Sequence, residues 1–150
     1  MEDFPAELER ADSFSRLLDL VKACVHDVLG RSRAGLMLGL SPLGLSPQGF
    51  IGAYHQMGSN LIVLNESLLD KIGKEKPELL QYHVFHLLMH EYIHSLGIVD
   101  EQQTRLLTQM VTEKVFGQGH VLAKIAKDFE RYLPDLRYAP MDFQPPEMAF

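Results

Sequence analysis

An α+β architecture is expected from three features of the chain. Apolar residues between Glu7 and Leu29 recur at helical spacing. Residues 34–64 are instead short apolar runs of strand length, punctuated by Gly and Pro. From Glu66 onward, helical spacing returns with recognisable start and stop residues. Strands first and helices after suggest a small mixed sheet of about three strands, with the first helix and a later helix from Pro77 to Leu96 packed on it.

The first helix, Glu7 to Leu29, should stop at Gly30. Ala34 to Leu40 is small and apolar, a buried strand, and Ser41 to Pro47 is a loop by its Pro and Gly content. Phe50 to His55 and Asn60 to Leu64 read as two strands, and the Gln56–Ser59 spacing between them allows a hairpin. Asn65 can cap a short helix from Glu66 to Ile72, closed by Gly73. Pro77 suits the first turn of the next helix, which Gly97 ends. Asp100 and Gln103 form a capping-box pattern that opens a helix through Phe116. A last helix is expected from Gly119 to Tyr132. The domain therefore spans residues 1–132, with a proline-rich tail over 133–150.

A chain of 150 residues, 46 % of them hydrophobic, suits one domain with a real core. Its net charge of −6 argues against nucleic acid or an anionic membrane as partner. The single cysteine, Cys24, rules out a disulfide framework and sits among apolar helix positions as a structural thiol. The acidic start, Met1 to Pro5, lacks the basic-then-apolar character of a signal peptide. No apolar run is long enough to span a bilayer. A cytoplasmic protein is expected.

The chemistry lies in His90-Glu91-Tyr92-Ile93-His94, an HExxH pattern on the helix between Pro77 and Gly97. Residues four apart share a helix face, so His90 and His94 can grip one metal ion. Glu91 lies about 100° round the helix, where it can serve a water as general base without being a ligand. His83 and His86 fall in the same arc and suit a cleft floor or supporting groups around the ligands, although His86 and His90 also have chelating spacing. A helix carrying ordinary histidines is the competing reading, and the extension HExxHxxGxxD through Gly97 and Asp100 weighs against it.

Asp100 ranks first as third ligand, since Gly97 permits a sharp return of the chain toward the metal. The same residue is also a good helix N-cap. Glu113 ranks second on the pattern HExxH-x18-E. It is disfavoured because its place on the following helix carries it about 20 Å from Asp100, when about 10 Å returns the chain to the level of His90. Glu101 ranks third. Three protein ligands leave a fourth position open, as catalytic zinc requires. Tyr54, His55 and Tyr138 are candidates for an additional electrophile.

The stretch from His90 to Glu101, HEYIHSLGIVDE, resembles the zincin superfamily of metallopeptidases, in particular small prokaryotic zincin-like proteins and the minigluzincin group, and also metzincins with Asp as third ligand. The resemblance is specific over about a dozen residues. It implies a compact zincin-like fold with a backing helix, a twisted sheet and an HExxH helix below the cleft. It also implies that Asn60 to Leu64 is the strand that pairs with an extended peptide. Met141 is a weak match to the methionine turn of metzincins.

The leading expectation is a zinc-dependent peptidase holding one Zn2+ per chain and acting on peptides or unfolded protein. A zincin-fold adaptor that binds metal without useful proteolysis is one alternative. The other is a latent peptidase blocked by its tail, Leu133 to Phe150, which carries Asp135, Met141, Asp142, Glu147 and Met148.

Overall fold

A computed structural model describes residues 3–46 and 48–134. Its elements are α1 (Phe4–Arg10), α2 (Phe14–Leu29), β1 (Met37–Ser41), β2 (Ala53–His55), β3 (Leu61–Asn65), α3 (Glu66–Glu75), α4 (Leu80–Ser95), α5 (Glu101–Phe116) and α6 (Val121–Lys127). The architecture is α+β, as the order of sequence patterns implies.

Where one helix was expected over Glu7–Leu29, the chain makes two. Ala11 turns to an extended conformation, and the Ser13 hydroxyl caps α2 by accepting from the Arg16 amide at 3.1 Å. Serine and aspartate favour caps because their side chains compete for nearby backbone groups. Gln81 of α4 secures the break, its amide donating to the carbonyls of Leu8 and Ala11. Gly73 does not end α3, which runs on to Glu75. The stop comes at Lys76, whose φ of −140° is the extended backbone that a following proline imposes. Similarly, the last expected helix breaks at Asp128 and resumes as a short 3-10 turn, Glu130–Tyr132. That break turns Phe129 inward, its ring 5.3 Å from those of both His83 and His86.

The sheet is mixed, in the order β1-β3-β2. β1 runs parallel to β3 with Met37 opposite Leu61, and β2 runs antiparallel to it with Tyr54 opposite Val63. The Gln56–Ser59 segment makes the expected hairpin, closed by the Ser59 amide on the Gln56 carbonyl at 2.9 Å. β1 starts later than its apolar run suggests. Gly35 adopts φ 82°, and ladder bonding begins only where the Met37 amide meets the Asn60 carbonyl at 2.7 Å.

α4 packs on β2 and β3, while α2 packs along α4 and α5. The core between them holds Ile62, Leu64, Val84, Phe85, Leu88 and Tyr92, all fully buried. Asn65 pins the strand-connecting loop to this core. Its side chain accepts from the amides of Leu43 and Ser67 at 3.1 and 3.0 Å and donates to the carbonyls of Gly44 and Ile51 at 3.0 and 2.7 Å. All the hydrogen-bonding capacity of its amide protons is used, which is why a fully buried Asn is tolerated there. Among the described residues, no helix is long and apolar enough to cross a membrane.

Candidate metal centre

α4 ends one residue after His94, and Gly97, at φ 101°, turns the chain through a conformation that disfavours other residues. This tight reversal brings the start of α5 back beside the end of α4. The Glu101 carboxylate then lies between the two imidazoles, 2.7 Å from His90 Nε2 and 2.9 Å from His94 Nε2. The donor atoms of all three side chains lie within 4.8 Å of one another.

Asp100, expected as the third ligand, is not in this group. Its carboxylate accepts from the Gln102 amide at 3.2 Å and is committed to capping α5. Glu101, ranked third from sequence, takes the position instead. The reason is geometric: a cap folds its side chain over its own helix, whereas a side chain in the first turn leans back past the helix N-terminus. Giving the capping role of Asp100 full weight would have moved the third ligand one residue further along, to Glu101. Glu113 lies far down α5, where it accepts from the Gln109 side chain at 2.9 Å.

Glu91 faces the same region from the adjoining side of α4 and is 7 % exposed. Burial, aided by the Glu101 charge, pushes its carboxyl up to about 8, against the opposing pull of a hydrogen bond from the His55 backbone amide. His90 is held below the ordinary imidazole value by burial, which outweighs the Glu101 carboxylate. For Glu101 itself burial acts upward, but His90, His94 and Arg105 together hold the carboxyl low.

The two other histidines of the stripe diverge. His83 is fully buried, with Nε2 3.1 Å from the Tyr132 carbonyl, and anchors the chain after α6. His86 reaches the cleft, stacked against Phe129 at 28° between planes, with Nδ1 buried and lacking a hydrogen-bond partner among the described residues. Burial, with His90 and His83 adding to it, pushes His86 down to about 3, so it stays neutral.

The cleft over His86, His90, Glu91 and Glu101 holds about 560 Å3 and is walled by Gly52 and Ala53 on one side and Phe129 on the other. The strand at its rim is β2. β3, expected to pair with a peptide, has both edges occupied by β1 and β2 and has none to offer. In β2 the ladder bonds alternate, with the Gly52 carbonyl taking the Asn65 amide at 2.9 Å, so the backbone groups of Ala53 and His55 point away from β3. His55 spends its outward amide on Glu91.

The additional electrophiles fare less well. The His55 ring bonds the Ser59 carbonyl at 2.8 Å inside its own hairpin. Tyr54 lies on the opposite face of β2 from Ala53 and His55. Tyr138 and Met141, with the acidic and methionine tail residues Asp135, Asp142, Glu147 and Met148, lie outside the described residues.

Two imidazole nitrogens and a carboxylate oxygen form a donor set that could hold a metal ion. Comparisons with protein-family models, with curated proteins and with solved structures find no match to this chain.

Proposed function

We propose that this protein is a zinc-dependent metallopeptidase in which His90, His94 and Glu101 hold the metal and Glu91 is the general base. The observation that carries the reading is the convergence of those three donors beside a buried carboxyl, under β2, an edge strand among the described residues. A zinc ion bound there supplies Lewis acidity, acidifying water and polarising a carbonyl oxygen.

The rest falls to the chain itself. A divalent cation held nearby would favour the ionised form of the Glu91 carboxyl, against the burial that raises it in the metal-free protein. It can then take a proton from water and hand it to the leaving amine. The His55 amide fixes the carboxylate in place. The outward backbone groups of Ala53 can pair with an extended peptide, which supports a peptide or an unfolded protein segment as substrate. Catalysis is favoured over a metal-binding adaptor because an adaptor has no use for a buried base one residue from a ligand. The resemblance to zincins in His90-Glu91-x-x-His94 supports the same assignment, although Glu101 stands one residue beyond the position at which HExxHxxGxx supplies its third ligand.

Metal analysis of protein purified without added metal should give close to one zinc per chain. The loaded protein should cleave members of a diverse peptide library. Glu91→Gln should keep the zinc and lose hydrolysis by roughly three or more orders of magnitude. Equal cleavage by variant and wild type, or none by folded, zinc-loaded wild type, would overturn the proposal.

A further inference from the structure

Three threonines, Thr104, Thr108 and Thr112, lie four apart on α5 and are essentially inaccessible, at 0, 1 and 2 % exposure. Each donates its hydroxyl proton to the carbonyl four residues earlier: Thr104 to Asp100 at 2.9 Å, Thr108 to Thr104 and Thr112 to Thr108, both at 2.7 Å. Valine has the same outline, so packing alone does not demand a hydroxyl at any of them.

Thr104 differs from the other two in what its oxygen meets. Among the described residues Thr108 meets no further polar partner, and Thr112 adds the Met89 sulfur at 3.5 Å. Thr104 Oγ1 lies 3.3 Å from His94 Nδ1 and 3.4 Å from the Ile98 carbonyl. His94 Nδ1 is in turn 2.7 Å from that same carbonyl. A carbonyl can only accept, so Nδ1 carries the proton in this contact. The Thr104 proton is directed to Asp100, its shortest acceptor, which leaves an oxygen lone pair for the His94 Nδ1–H. The ring is thus held from behind by two acceptors, with Nε2 toward Glu101.

We propose that Thr104 is a positioning residue for the metal centre. Through one hydroxyl it fixes the orientation and tautomer of His94 and ties them to the turn of α5 that carries Glu101. This rests on the assignment of His90, His94 and Glu101 as ligands. Groups that orient a ligand imidazole in this way typically contribute 10- to 100-fold in metal affinity. Because the Ile98 carbonyl remains when the hydroxyl is removed, the loss at Thr104 belongs at the lower end, about 10-fold.

The test compares zinc affinity, by chelator competition, in wild type, Thr104→Val, Thr104→Ser and Thr108→Val. Thr108→Val is the control, since it removes an equally buried, back-bonded hydroxyl with no partner in the site. Affinity should fall about 10-fold in Thr104→Val, recover in Thr104→Ser and stay at the wild-type level in Thr108→Val. In zinc-loaded protein, the His94 Nδ1–H nuclear magnetic resonance should be protected from solvent exchange in wild type and exchange faster in Thr104→Val. Equal affinity and equal exchange in Thr104→Val and wild type would overturn the positioning role while leaving the metal site intact. Wild-type protein without zinc affinity would instead remove the ligand assignment on which the role depends. Equal losses in both valine variants would mean a packing effect and overturn the proposal.

Discussion

Replacing Glu91 by Gln should remove a pH-dependent weakness from the metal-free fold. The Glu91 carboxyl, 7 % exposed, is pushed by burial and then by Glu101 from 4.5 up to about 8. The folded protein therefore keeps a proton there that the unfolded chain gives up near the ordinary carboxylate value. Between those two pH values the native state binds more protons than the unfolded one, so stability falls as the pH rises. Each pH unit of the interval corresponds to about 1.4 kcal/mol. Once the pH has passed about 8, the cost relative to acid conditions approaches about 5 kcal/mol. Gln has a similar shape and can still accept from the His55 amide, but has no proton to lose. His83, His86 and His90 act in the opposite sense: all are held below 6.5, so their contribution improves as the pH rises through that value. Both proteins carry these histidines, so the difference between them isolates Glu91. Urea unfolding of wild type and variant with chelator present, from about pH 5 to 8.5, provides the measurement. The advantage of the variant should grow by several kcal/mol across that range. A flat difference, or wild type gaining on the variant as the pH rises, would refute the argument from burial.

Further variants test the roles of Glu101, Asp100 and Asn65. Glu101→Ala should abolish stoichiometric zinc binding, whereas Asp100→Ala should keep the metal and cost about 1 kcal/mol through the lost helix cap; metal content and thermal unfolding of the two variants separate these effects, and the opposite pattern would restore Asp100 as the ligand. Asn65→Ala leaves the amides of Leu43 and Ser67 and the carbonyls of Gly44 and Ile51 without their partner, for an expected loss of about 2–4 kcal/mol; a denaturation midpoint equal to wild type would show that the loop does not depend on it.

Much of the fold was legible because local signals and tertiary demands coincide. The apolar spacing of Phe14–Leu29, the turn at Gly58 and the caps at Asn65 and Asp100 each act within a few residues, and pattern reading reaches that far. Three features were decided over longer range. The break between α1 and α2 is held by Gln81, distant in sequence. The interior place of β3 depends on β1 joining it in parallel, a pairing that strand pattern alone does not encode. Phe129 is turned inward by what it meets, the rings of His83 and His86. At the site, His90, Glu91 and His94 were legible because helix periodicity fixes their relation, while Asp100 competed with itself as cap and ligand. Glu101 emerges only when one side chain is allowed one task.

The confinement of the donor set to residues 90–101, across a single helical reversal at Gly97, also bears on assembly. Closing so short a loop costs somewhat less chain entropy than pairing β1 to β3, by about 0.6 kcal/mol for a twofold shorter span. If the proposed site binds its ion, the last turns of α4 and the first of α5 could collect it before the sheet forms, and the ion would then act as a staple that narrows the search for the remaining contacts. The base is different in kind: Glu91 acquires its environment only when β2 arrives with the His55 amide. On the proposed reading, a chain at that halfway stage would carry metal and yet be chemically silent, so capture of the ion would precede competence.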